Sequence, residues 1–217
     1  MLRADKLGSR VRISPTRPKN DILPPNAKST YIRLLVDDEL AGNVFGTRWV
    51  SPGGNVVLWV TQLCVSSKRR NSRIATRLLQ ELRQKEDTYV GILSSQPFAL
   101  SAVLRVFGNG LENTDLETTR KCAKDVMESC PVRYVREAKI RGSLCKNDME
   151  DGSISCADTQ FWVDHMEPLE ALALIKEKRI IWPFGELPEG HEFLLLVKPQ
   201  ECWLISLSHR TFLIVSK

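Results

Sequence analysis

At 217 residues, 42% of them hydrophobic and 26% charged, the chain is long enough to bury a sizeable core and has the balance of an ordinary globular protein. No apolar run approaches the roughly 20 residues of a membrane helix, and the N-terminus (MLRADKLGSRVR) lacks the apolar stretch of a secretory signal. The formal net charge of +5 suits an anionic ligand such as a nucleotide cofactor as well as it suits nucleic acid.

Residues 1–29 hold Pro15, Pro18, Pro24 and Pro25 among scattered charges, which predicts an extended or mobile arm ahead of a single domain over 30–217. Tyr31 to Val36 reads as a first strand, Asp37-Asp38-Glu39 as a turn, and Leu40 to Val50 as a second strand. After the turn Pro52-Gly53-Gly54, the run Val56 to Val65 is apolar and rich in β-branched residues, as a central buried strand should be. Short turns between the three predict an antiparallel meander. Ile74, Leu78, Leu79 and Leu82 then recur at helical spacing, with Asn71 or Ser72 as the predicted N-cap. Tyr89 to Leu93 reads as a short strand. Pro97 to Val106 reads as a helix stopped by Gly108 and Gly110. Thr114 to Glu117 has the form of a capping box before a helix that Pro131 ends. Residues 141–156 read as a loop or irregular hairpin, Glu167-Pro168 as the start of a helix to about Lys178, Phe193 to Val197 as a strand, and Trp203 to Val215 as one or two more. This order predicts an α/β or α+β fold: a mixed central sheet with flanking helices and an elaborated C-terminal third, about 111–217.

The six cysteines (Cys64, Cys122, Cys130, Cys145, Cys156, Cys202) form no CxxC pair. With no signal sequence, that pattern predicts reduced thiols and a cytoplasmic or nuclear protein. Lys68, Arg69, Arg70, Arg73, Arg77 and Arg83 crowd one turn and helix. A solvated helix face explains them as readily as an anion site does. No aromatics interleave with them, which argues against a single-stranded nucleic-acid surface.

The stretch Trp59 to Leu82, WVTQLCVSSKRRNSRIATRLLQEL, is a strand, a basic turn and an amphipathic helix, the layout in which N–H groups at a helix N-terminus receive phosphate. It resembles the cofactor motif of the GNAT superfamily of acyl-CoA N-acyltransferases: a strand that ends in a splay, a turn Q/R-x-x-G-x-G/A, and a helix. The resemblance covers Thr30 to Gly108 and is weaker beyond. It implies that acetyl-CoA or another acyl-CoA meets the backbone of Leu63, Cys64 and Val65, and places its pyrophosphate on the turn Arg70, Asn71, Ser72, Arg73, Ile74 and Ala75. Arg70 matches the opening Q/R and Ala75 the closing G/A. Arg73 stands where the family has its first glycine, a position at which arginine either crowds the pyrophosphate or bonds it from the side chain. Leu104 stands where many members place a proton-donating tyrosine, leaving Cys64 and Ser101 as substitutes. Thr61 and Gln62 stand where the family often has an acidic base, and neither accepts a proton readily near neutral pH. Nothing before the meander reads as the two helices that usually precede it.

The segments Asp158 to Glu167 and Trp182 to Phe193 are rich in His, acid and Trp, and look like parts of fungal GNAT-like proteins. His165, His191, Glu186 and Glu192 are candidate acids and bases beside Gln62 and Cys64. A helix N-cap accounts equally for Asp164 and His165, and a turn into a core strand for His191 and Glu192. No HxH or HxxxH spacing supports a metal site. Trp162 and Trp182 read as core or subunit-contact residues, and a homodimer is one expectation. The resemblance implies acyl transfer from acyl-CoA to the amine of a small molecule or peptide. The alternative is a GNAT-fold protein with impaired CoA binding, turned to another small-molecule reaction of specialised metabolism or to binding alone.

Overall fold

Three apolar segments joined by tight turns build half of the sheet: β1 (Lys28–Val36), β2 (Glu39–Val50) and β3 (Val56–Val65). The first turn places Asp37 (φ 54°) and Asp38 (φ 60°) in the left-handed region, the two-residue hairpin geometry that short polar side chains tolerate. The computed structural model describes Pro24 and residues 27–145, 151–200 and 212–216. After β3 come α1 (Ile74–Leu82), β4 (Tyr89–Ser94), α2 (Pro97–Phe107), α3 (Glu117–Glu128), α4 (Arg133–Glu137) and β5 (Lys139–Arg141). β6 (Cys156–Asp158), α5 (Met166–Glu177), β7 (His191–Val197) and β8 (Phe212–Ser216) complete the described chain. Among the described residues no helix is long and apolar enough to cross a membrane.

The strands form one mixed sheet in the order β5-β6-β7-β4-β3-β2-β1-β8, with β3 in its interior. Only β3 and β4 run parallel; every other neighbouring pair is antiparallel. Alternation along the strands separates two cores. Leu58, Val60, Val90, Ile92, Phe193 and Leu195 face α1 and α2. Val57, Trp59, Leu93, Leu194 and Leu196 face α3 and α4. Gly91 lies opposite Trp59, and a Cβ there would sit 2.3 Å from the indole ring, so only glycine lets Trp59 lie across β4.

The structure corrects several expectations. β1 begins at Lys28, so the last residues assigned to the arm are strand, while residues 1–23 lie outside the described residues. α1 is capped by neither Asn71 nor Ser72. Its N-cap is Arg73, without a side-chain bond, because the Ser72 hydroxyl donates back to the Arg69 carbonyl. The capping box at Thr114 does not form: its hydroxyl donates to the Leu111 carbonyl at 2.7 Å, and the Asp115 carboxylate accepts from the Glu117 N–H instead. α4 and β5 follow Pro131, where the sequence reading had no element. The expected strand at Trp203 to Val215 is observed as β8, paired with the outer edge of β1; residues 201–211 lie outside the described residues.

Candidate functional site

β3 and β4 pair from Val57/Tyr89 to Val60/Ile92 and then part, although β3 runs on to Val65. The cause is local. β2 pairs Phe45 with Gln62 and Gly46 with Val60, so Thr61 is an extra residue, a β-bulge at the last rung shared with β4. A bulge bends its strand and re-aims the side chains that follow. Leu63 and Val65 accordingly turn towards the α1/α2 core, and Gln62 and Cys64 are exposed on the opposite side. Among the described residues, the edge of β3 from Thr61 to Val65 that faces β4 has no strand partner.

The turn after β3 lies at the mouth of this splay. Asn71 (φ 61°) and Arg73 (φ 59°) both adopt the left-handed conformation, so the backbone turns sharply twice before α1. Among the described residues no side chain caps α1, so its first N–H groups keep their donor capacity. Ile74 and the half-buried Ala75 anchor the helix start against the core. The Arg73 side chain is exposed and has no hydrogen-bond or ion-pair partner among the described residues. Arg69 pairs with Asp37 at 3.2 Å and Arg70 with Glu167 at 2.9 Å.

On the α3/α4 face, the Tyr134 hydroxyl donates to the Thr61 carbonyl at 3.4 Å, reaching the bulge from α4. Burial pushes the Tyr134 phenol far above its ordinary value, and the neighbouring Glu192 charge pushes it further, so it stays a neutral donor. Burial also raises the Glu192 carboxyl, against the opposing effect of the Thr159 hydroxyl. Glu192 has no salt bridge among the described residues, and its alternation with Leu194 puts it on the face of Tyr134 and Trp59. Gln62 lies next to Cys64, its amide donating to Sγ at 3.5 Å.

The structure therefore brings Gln62, Cys64 and Glu192 to one face of the splay and leaves the histidines elsewhere. His191 alternates to the other face, near Asp151, with Nδ1 bonded to the Glu189 carbonyl at 2.8 Å. His165 is the N-cap residue of α5, with a buried Nε2 that lacks a partner among the described residues. Leu104 is core, and the Ser101 hydroxyl donates to the Pro97 carbonyl at 2.9 Å, so neither presents a proton to the splay. Trp182 is partly buried against the core, its ring tilted on Phe184 and edge-on to Phe193; Trp162 lies over Gly190, half exposed. Tyr134, Glu167 and Gln96 were not picked out as site residues from sequence. Tyr134 carries no motif, and its one signal is an aromatic two residues after the break at Pro131-Val132. No protein-family model and no curated protein matches this chain.

Proposed function

We propose that the chain is a GNAT-type N-acyltransferase that moves an acetyl or other acyl group from acyl-CoA to the amine of a small molecule or peptide. The observation that carries the reading is the conjunction at the end of β3: a bulge at Thr61, an unpaired edge to Val65, and a left-handed turn into an uncapped helix. An extended, amide-bearing ligand arm fits the unpaired edge as a substitute strand, and the turn offers N–H groups for its phosphates. Acyl-CoA supplies a thioester, whose C–S bond breaks as the amine nitrogen bonds the acyl carbon.

The protein's own part follows from the two faces. Leu63, Cys64 and Val65 offer backbone N–H and C=O groups to the arm and the thioester carbonyl. Arg70 and the N–H groups from Asn71 to Ala75 hold the phosphates. Glu192, a carboxyl held above its ordinary value with no salt bridge among the described residues, receives the acceptor's ammonium group and takes its proton. Tyr134 stays protonated and fixes the Thr61 carbonyl. Cys64, whose sulfur accepts from Gln62, is the relay that passes the second proton of the acylated amine to the departing thiolate.

One specific observation favours the second reading, a degenerate member with impaired CoA binding. Leu104 is fully packed and the Arg73 Cβ occupies the turn, so two features of an ordinary transferase are altered together. Thermal shift with acetyl-CoA separates the readings, because a ligand that binds only the folded state raises its melting temperature. The proposal expects a saturable rise that Arg70→Glu largely removes. No rise at millimolar acetyl-CoA, or an equal rise in both proteins, contradicts it.

A further inference from the structure

On the α1/α2 side of the splay, one carboxylate oxygen closes a bridge. Glu167 Oε1, in the first turn of α5, lies 2.9 Å from Arg70 Nη2 and accepts from Gln96 Nε2 at 3.0 Å. Arg70 belongs to the turn that follows β3. Gln96 follows β4 and caps α2, its side-chain oxygen accepting from the Phe98 N–H. The bridge thus spans the ends of the two strands that part. A guanidinium and an amide converging on a single anionic oxygen is a donor set that a phosphate oxygen satisfies equally well. α5 itself is seated by Pro168, Ala171, Leu172 and Ile175, which are buried, whereas the Glu167 side chain is 53% exposed. It can therefore leave the bridge by side-chain rotation, without unseating the helix.

We propose that Glu167 is a built-in competitor for the anion site: its carboxylate holds the place at Arg70 that a ligand phosphate takes, and Gln96 keeps it there. The inference rests on the cofactor reading above and adds a regulation to it. Binding of a phosphate-bearing ligand then requires Glu167 to be displaced, so α5 sets the affinity of the mouth although it contributes no donor to the ligand. Because the ion pair is exposed, the competition is modest, an effect of about two- to fivefold in affinity.

Calorimetric titration of the full chain with coenzyme A, and separately with inorganic pyrophosphate, tests this. Glu167→Gln removes the charge and keeps the shape; Glu167→Ala removes the acceptor altogether, and circular dichroism checks that both variants keep the fold. The expected result is coenzyme A affinity higher by about two- to fivefold in Glu167→Gln, at least as high in Glu167→Ala, and a gain of the same direction for pyrophosphate. Equal or weaker affinity in both variants overturns the competition and leaves the cofactor reading standing. A gain for pyrophosphate without any for coenzyme A also overturns it, since the phosphates of the larger ligand then lie elsewhere. Absence of coenzyme A binding in wild type and variants alike overturns both.

Discussion

Replacing Arg73 by glycine perturbs the backbone and the ligand site together, and the two effects can be read apart. Arg73 holds φ 59° and ψ 19° at the N-cap of α1. The left-handed region costs an L residue about 1–2 kcal/mol. Glycine is free of that cost but loses about 0.4–1 kcal/mol through the greater freedom of its unfolded chain. The guanidinium is exposed and has no partner among the described residues, so its removal subtracts little. The net expectation is a gain of roughly 0.5–1 kcal/mol, or about 1–4 °C in Tm for a domain of this size. Arg73→Ala is the control, since it removes the charge and keeps the Cβ in the strained region. Differential scanning calorimetry should rank Arg73→Gly above the wild type and Arg73→Ala no higher than the wild type. Acetyl-CoA should then raise the Tm of Arg73→Gly further than that of the wild type, because the turn can approach the pyrophosphate. A glycine variant no more stable than the alanine variant refutes the backbone argument. A ligand shift present in the wild type and lost in Arg73→Gly refutes obstruction and makes Arg73 a phosphate ligand, at a loss of about 1.5–3 kcal/mol.

Two other substitutions probe the acceptor face and the frame. For Glu192 the folded state holds the carboxyl proton more tightly than the unfolded state, because burial raises its pKa. Its stabilising contribution is therefore complete below the ordinary carboxyl pKa and is lost as pH rises through the raised value. Glu192→Gln should raise Tm at neutral pH, by about 2–4 °C for each kcal/mol relieved. That gain should disappear in acid, and acyl transfer should be lost; a lower Tm at neutral pH contradicts the burial argument. At the other end of the sheet, Arg48 meets Asp87 through two bonds of 2.7 and 3.0 Å, with side chains 4% and 0% exposed. Asp87→Ala leaves a buried guanidinium uncompensated and should cost about 3–5 kcal/mol in urea unfolding; a loss below about 1 kcal/mol contradicts it.

The meander, α1, β4 and α2 were legible because each is fixed by local signals: β-branched apolar runs, short polar or Pro-Gly turns, and helical spacing of Ile74, Leu78, Leu79 and Leu82. The interior position of β3 was legible for the same reason, since both of its faces are apolar. The bulge at Thr61 was not, because it shows only in the register of β2 against β3, and no residue at that point announces an extra position. Capping was misread at Thr114 and at Asn71 and Ser72. At Thr114 and Ser72 the side-chain hydroxyls bond carbonyls three residues back, a competition that spacing alone does not resolve. The pairing of β8 with β1 is a long-range contact between the two ends of the described chain, beyond any local pattern. At the site, Glu192 and His191 looked equivalent as neighbours in sequence. A strand sends neighbours to opposite faces, so only Glu192 joins Tyr134 at the bulge. Tyr134 itself reaches Thr61 across 73 positions in sequence.

Amide hydrogen exchange with and without acetyl-CoA tests the central claim most directly, because it reads the unpaired edge of β3 residue by residue. The account predicts added protection at Leu63 to Val65 and in the turn from Arg70 to Ala75, with β1 and β2 unchanged. Protection confined to other segments, or none at saturating acetyl-CoA, would contradict the assignment of the splay as the acyl-CoA site.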